Sequence, residues 1–151
     1  MTNDPIVIVG AARTPMGGFQ GDFSSLSASD LGAVAIKAAV ERAGIAPQDV
    51  DKTIFGCVLT AGQGQAPARQ ASIKGGLPLS TGCTTGNKMC GSAMEAMIPA
   101  HAALAAQSAE GIVPGGRESM SDAQAPMPRA RAGPRQGPPR RGDRQLHDRS
   151  R

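Results

Sequence analysis

Apolar positions along the chain fall into short blocks separated by glycine-rich polar stretches. Ile6 to Val9 is a β-branched run closed by Gly10. Being apolar on both faces, it predicts a buried strand. Between Ser27 and Ala43 the period changes, and Leu31, Val34, Ala35, Ala38 and Ala39 share one side of a helix. Ser27 with Asp30 three residues on, or Ser29, supplies an N-cap, and Gly44 a stop. Val50 to Leu59 reads as a second strand, 65–75 as a short helix opening near Pro67, and 80–85 as a third strand. Cys90 to Ser108 reads as a long Ala- and Met-rich helix, and Gly111 to Val113 as a brief strand running into Gly115 and Gly116. The order β-α-β-α-β-α-β predicts an α/β fold with a mainly parallel sheet covered by helices.

The pattern stops after about Ser121. Residues 123–151 hold five prolines, three glycines and eight arginines, with Met127 and Leu146 the only large apolar residues. Such a segment buries too little surface to offset its ordering entropy. The expected division is therefore a domain over 1–122 and a disordered basic tail over 123–151. Charge divides the same way. Residues 1–122 carry a net −2 and residues 123–151 a net +6, together the overall +4, so the pI describes the tail and not the body. The three phenylalanines are the only aromatics, which leaves any core to Ala, Val, Ile, Leu and Met.

Cys57, Cys83 and Cys90 form no CxxC pair, and the histidines are His101 and His147. That is too sparse for a zinc site, so no metal is expected. An odd cysteine count without a basic, apolar leader points to a reducing, cytoplasmic setting. No stretch approaches the ~18 apolar residues of a membrane span, so no membrane partner is expected.

The stretch from Gly62 to Ala93 carries the candidate chemistry. It sets Cys90 at the start of a helix just after a strand, where unsatisfied N–H groups and the helix dipole favour a thiolate. Gly91 and Ser92 leave room for a carbonyl to approach, and the same N–H groups could hold an oxyanion. Taken alone, Cys90 has a plainer reading as a small buried hydrophobe, the commoner fate of a free cysteine.

Four segments decide between the two. IVIVGAARTPMGGFQG at 6–21, GCVLTAGQGQAPARQA at 56–71, GLPLSTGCTTGNKMCGSAM at 76–94 and GGRESMS at 115–121 are long, ordered and correctly separated. Together they resemble the front part of the thiolase family, in particular the acetoacetyl-CoA thiolases. The resemblance implies that Cys90, in N-K-M-C-G-S, is the catalytic nucleophile that takes an acyl group from acyl-CoA. A base elsewhere would then generate the acetyl-CoA carbanion for Claisen condensation. It also implies coenzyme A thioester as substrate, no resident cofactor, and a homo-oligomer in the intact family. The histidine, asparagine and second cysteine of the second step lie in the family's later half, so this chain is expected to be an inactive fragment. A non-catalytic piece that pairs with intact subunits is the alternative.

The remaining candidates are weaker. Cys83 reads as a packed strand residue and Cys57 as core. His101 lies about three helical turns, ~16 Å, from Cys90, too far to act on it. Arg69 and Gln65 resemble loop residues near the family's subunit interface, or are plain surface. The chain also departs from the family pattern at Gly86, Ala93, Glu95 and Arg117, and at two prolines. Pro99 is expected to bend the nucleophile helix and Pro114 to break a central strand. PMPRARAGPRQG at 126–137 faintly echoes the family's next segment, and a truncated or frameshifted gene product is the preferred reading of the tail. A nucleic-acid-binding arm is the lesser one, since no aromatics interleave its arginines.

Overall fold

The computed structural model describes residues 5–123. Of the tail expected over 123–151, residues 124–151 lie outside the described residues. Six of the seven expected elements are present: helix α1 (Ala28–Ala43), strand β1 (Lys52–Gly56), helix α2 (Pro67–Lys74), strand β2 (Gly82–Gly86), helix α3 (Ser92–Ala105) and strand β3 (Ile112–Gly116). A short 3-10 turn, Pro47–Asp49, precedes β1.

The sheet is parallel throughout, in the order β2-β1-β3. Helices α1 and α2 cover one face, where Ile36, Val40, Phe55, Ala68 and Ala71 form the larger core cluster. Helix α3 covers the other, packing Ala96 and Ala100 on Ile54. The alternation of Phe55 and Ile54 between the two clusters is the period of two of a strand buried on both sides. The register aligns Gly56 with Gly86 and with Gly116, so all three strands end in glycine at one level.

The first expected strand does not form. Residues 6–9 pair with no strand, and Ile8 is 77% exposed. β-Branched composition favours extended backbone, but a strand also needs a neighbour to bond. The nearest open edge, that of β3, lies across a gap.

The prolines also depart from expectation. The Arg117 N–H donates to Gly56 O at 3.1 Å, and Gly111 O accepts from Asp51 and Lys52. Odd-numbered residues of β3 therefore face β1. Pro114, aligned with Ile54, turns its missing N–H to the open side, so β3 loses no bond to its neighbour. Pro99 sits on the exposed side of α3. The helix runs through it from Ser92 to Ala105, forgoing only the N–H that Pro99 lacks.

Helix α1 begins and ends where the capping residues put it. Ser27 Oγ accepts from the Asp30 N–H while Asp30 accepts from the Ser27 N–H, a reciprocal capping box. Gly44 closes the helix at φ 68°. The buried side, however, is Gly32, Ala33, Ile36 and Val40. Val34, expected on the packed face, is 60% exposed.

Asp30 also meets Lys74 of α2 at 2.6 Å. The Lys74 and Ser27 hydrogen bonds lower its pKa from 3.8 to about 2. A depressed carboxyl stabilises the fold above its unfolded pKa and stops doing so as pH falls through the folded one. Asp30→Ala is expected to cost about 1 kcal/mol at pH 7, mostly lost capping, with the exposed ion pair adding a few tenths. In urea titrations the gap to the parent should close between about pH 4 and pH 2.

Candidate active site at Cys90

Four residues after β2 ends, the chain makes a tight turn and enters α3. Cys90 lies on this turn, immediately before the N-cap Gly91, and is exposed. The turn is held by its own sequence. Asn87 Oδ1 accepts from the Met89 N–H at 2.9 Å, and Asn87 Nδ2 donates to Val58 O at 3.4 Å. Buried Ser92 accepts from the Lys88 N–H at 2.8 Å and donates to Met89 O at 2.6 Å. These bonds hold Met89 at φ 48°, a left-handed conformation that costs a non-glycine residue about 1–3 kcal/mol and is met at functional turns.

The Gly91 and Ser92 N–H groups are occupied by Lys88 O and Met89 O, each at 3.0 Å. They are therefore committed within the turn itself. Ala93 and Met94 supply the first-turn N–H groups that have no intrahelical acceptor.

The height of this turn above the sheet is set by glycine. A Cβ at Gly56 would lie 2.4 Å from the Ser92 carbonyl carbon, and one at Gly116 would lie 2.6 Å from Ala93 Cβ. Helix α3 thus rests its first turn on two bare strand ends. Gly56→Ala is expected to cost about 1–3 kcal/mol by overpacking and to shift the Cys90 turn. Thermal unfolding together with the rate of Cys90 alkylation would read both effects.

A cavity of about 630 Å³ opens beside Cys90 at the carboxyl ends of the strands, the usual ligand position in open α/β sheets. Arg13, Leu31, Cys57, Arg117 and Glu118 contribute to its wall. Leu31 and Ala35 face this space, which explains the apolar stripe that reads as core in the sequence. A second hollow of about 600 Å³ lies on the far side, and the two share Ala12, Ala35 and Gly116.

Glu118 is a site residue that sequence reasoning missed as an individual, although GGRESMS contains it. Its carboxylate accepts from the Val58 N–H at 2.8 Å and the Leu59 N–H at 3.3 Å, fixing the loop after β1. Cys57 is buried as expected and donates its thiol to Glu118 at 3.6 Å. Burial, partly opposed by the Gln63 hydrogen bond, raises its pKa, so it is a poor thiolate. Cys83 packs against the larger core cluster. His101 is exposed and faces the second hollow. Arg69 ties down the loop before β2, donating to Leu79 O at 3.0 Å and Thr81 O at 3.4 Å, while Gln65 is exposed.

Arg117 is 7% exposed, and its Nε and both terminal nitrogens have no partner. Desolvation lowers its pKa, opposed by the nearby Cys57 and Glu118. Glu118 gives its oxygens to backbone N–H groups instead.

The chain is a three-layer α/β domain with an exposed cysteine on a strained strand-to-helix turn, and similarity to known proteins gives its family. The model of the thiolase N-terminal domain matches residues 6–148, so the chain belongs to the thiolase family. An acetyl-CoA acetyltransferase of Cupriavidus necator is 52% identical over 132 residues, covering 87% of this chain and 34% of that protein. A mitochondrial acetyl-CoA acetyltransferase of Xenopus tropicalis is 52% identical over 121 residues, covering 80% of this chain and 29% of that protein. Among solved structures, the Acat5 thiolase of Ascaris suum in complex with coenzyme A superposes with a TM-score of 0.78 at 43% identity, covering 81% of this chain and 32% of that one. The chain spans about one-third of the length of these relatives.

Proposed function

We propose that Cys90 accepts an acyl group from a coenzyme A thioester, the first half of a thiolase reaction. The single observation that carries this is an exposed thiol on a turn held by Asn87 and Ser92, beside a cavity at the carboxyl ends of the strands. The Cys90 thiolate attacks the thioester carbonyl. A bond from sulfur to the acyl carbon forms, the bond to the coenzyme A sulfur breaks, and coenzyme A leaves as the thiol after taking up a proton. The Ala93 and Met94 N–H groups are the candidate donors for the oxyanion formed on the way. Acetyl-CoA is the preferred donor, because the relatives are named acetyl-CoA acetyltransferases. In an intact subunit, Claisen condensation with a second acetyl-CoA would follow, in a homo-oligomer. Three unpaired cysteines suit the reducing cytoplasm.

For the 151-residue chain itself we infer acylation without condensation. Among the described residues no histidine reaches the Cys90 cavity. Incubation with acetyl-CoA followed by peptide mapping should find one acetyl group, on Cys90, and no acetoacetyl-CoA in solution. Acetylation spread over lysines with Cys90 unmodified would overturn the assignment. Measurable acetoacetyl-CoA would overturn the restriction to a half-reaction.

A further inference from the structure

The Cys90 cavity has one charged group in its wall that acyl transfer to the thiol does not use. Arg117 stands there, at the carboxyl end of β3, with its N–H on Gly56 O at 3.1 Å. Its side chain turns to the α1 side of the sheet, where the stem is clamped. A Cβ on Gly32 would lie 2.6 Å from Arg117 Cδ, 3.1 Å from Ala71 Cβ and 3.5 Å from Phe55 Cε1. The residue is buried, yet Nε and both terminal nitrogens have no acceptor. Buried polar groups are nearly always paired, and an unpaired charge is the costliest exception. An arginine does not escape that cost by losing its proton. The carboxylate beside it, Glu118, is committed to the Val58 and Leu59 N–H groups and the Cys57 thiol. The other ionisable groups of the wall are Arg13, Cys57 and Cys90, so the charge left uncommitted is positive. Leu31, Ala35, Met89 and Met120 add an apolar lining. The volume of about 630 Å³ lies within the roughly 300–1,000 Å³ of small-ligand sites.

We propose that Arg117 anchors a carboxylate subsite of this cavity, which seats the free end of a dicarboxylic acyl group whose thioester faces Cys90. This rests on the reading of Cys90 as the acyl acceptor. The guanidinium fork matches a carboxylate through two parallel hydrogen bonds. Rotation about its last bonds brings the fork into the cavity while Gly32 holds the stem. The transfer itself is unchanged. The bond from the Cys90 sulfur to the acyl carbon forms, the bond to the coenzyme A sulfur breaks, and coenzyme A takes up a proton. The far carboxylate stays ionised throughout. Arg117 is one of the positions where the chain departs from the thiolase pattern, so the subsite belongs to this chain and widens its donors beyond acetyl-CoA.

The full chain would be incubated with adipyl-CoA and with hexanoyl-CoA, donors of one chain length that differ in the terminal carboxylate. Peptide mapping would follow acylation of Cys90. The ratio of the adipyl to the hexanoyl rate should fall by about tenfold or more in Arg117→Met, the worth of a charge-assisted hydrogen bond shielded from water. Both donors meet the same thiol in the same protein, so any change in folding or in the Cys90 turn cancels from the ratio. Free adipate, at ionic strength matched with chloride, tests the other source of a carboxylate. A melting temperature that adipate raises in the parent and not in Arg117→Met, with an unchanged donor ratio, would assign the subsite to a free acid and overturn the acyl end as its occupant. Equal ratios in both proteins, with Cys90 acylated and no adipate effect, would overturn the subsite alone. Failure of either donor and of acetyl-CoA to modify Cys90 would overturn the acceptor reading and the subsite with it.

Discussion

Cys90→Ser is expected to reduce acetyl transfer onto the chain by about a thousandfold or more, the order found when a nucleophile is removed from a catalytic unit. A serine hydroxyl at the same place keeps the turn, because the bonds that hold it come from Asn87 and Ser92 and not from the sulfur. It lacks the thiolate fraction that gives a cysteine its reactivity near neutral pH. Cys83→Ser should leave acetylation at the parent level, since Cys83 packs towards the core. Time courses with acetyl-CoA, read by intact mass, separate the outcomes. Equal loss in both variants would mean that neither thiol is the specific acceptor.

Arg117→Met is expected to raise stability by about 1–4 kcal/mol, the range seen when buried ionic groups give way to apolar ones of similar volume. The guanidinium is sealed with three nitrogens unpaired, and the nearest carboxylate, Glu118, is committed to the Val58 and Leu59 N–H groups. The arginine stem also packs tightly, with its Cδ 2.6 Å from where a Cβ on Gly32 would lie. Methionine keeps much of that stem and removes the unpaired charge. Urea unfolding at neutral pH would measure the difference. A loss of stability would show that an anion compensates Arg117 in solution.

Local features were legible in the sequence. Ser27, Asp30 and Gly44 mark the ends of α1 because caps act through bonds to near neighbours in the chain. The alternation of elements gave the parallel α/β sheet, and the N-K-M-C-G-S spelling located the turn at Cys90. What failed was whatever depended on a neighbour distant in sequence. Ile6 to Val9 has strand composition, but no strand lies beside it. Pro114 was expected to break the ladder, but the side to which a residue turns its N–H is set by register. The stripe with Leu31 and Ala35 reads as core because hollows and cores use the same residues. The Gly91 and Ser92 N–H groups are committed to Lys88 O and Met89 O, because a turn bonds its own backbone in a way that only its geometry reveals.

Ala12, Ala35 and Gly116 line both hollows, so only a thin partition of small residues separates them. A guest on one side fixes the positions of atoms that also bound the other. By thermodynamic reciprocity, whatever a guest in one hollow does to the affinity for a guest in the other, the second must do in equal measure to the first. Occupancy of the two hollows is then a pair of linked equilibria of one domain.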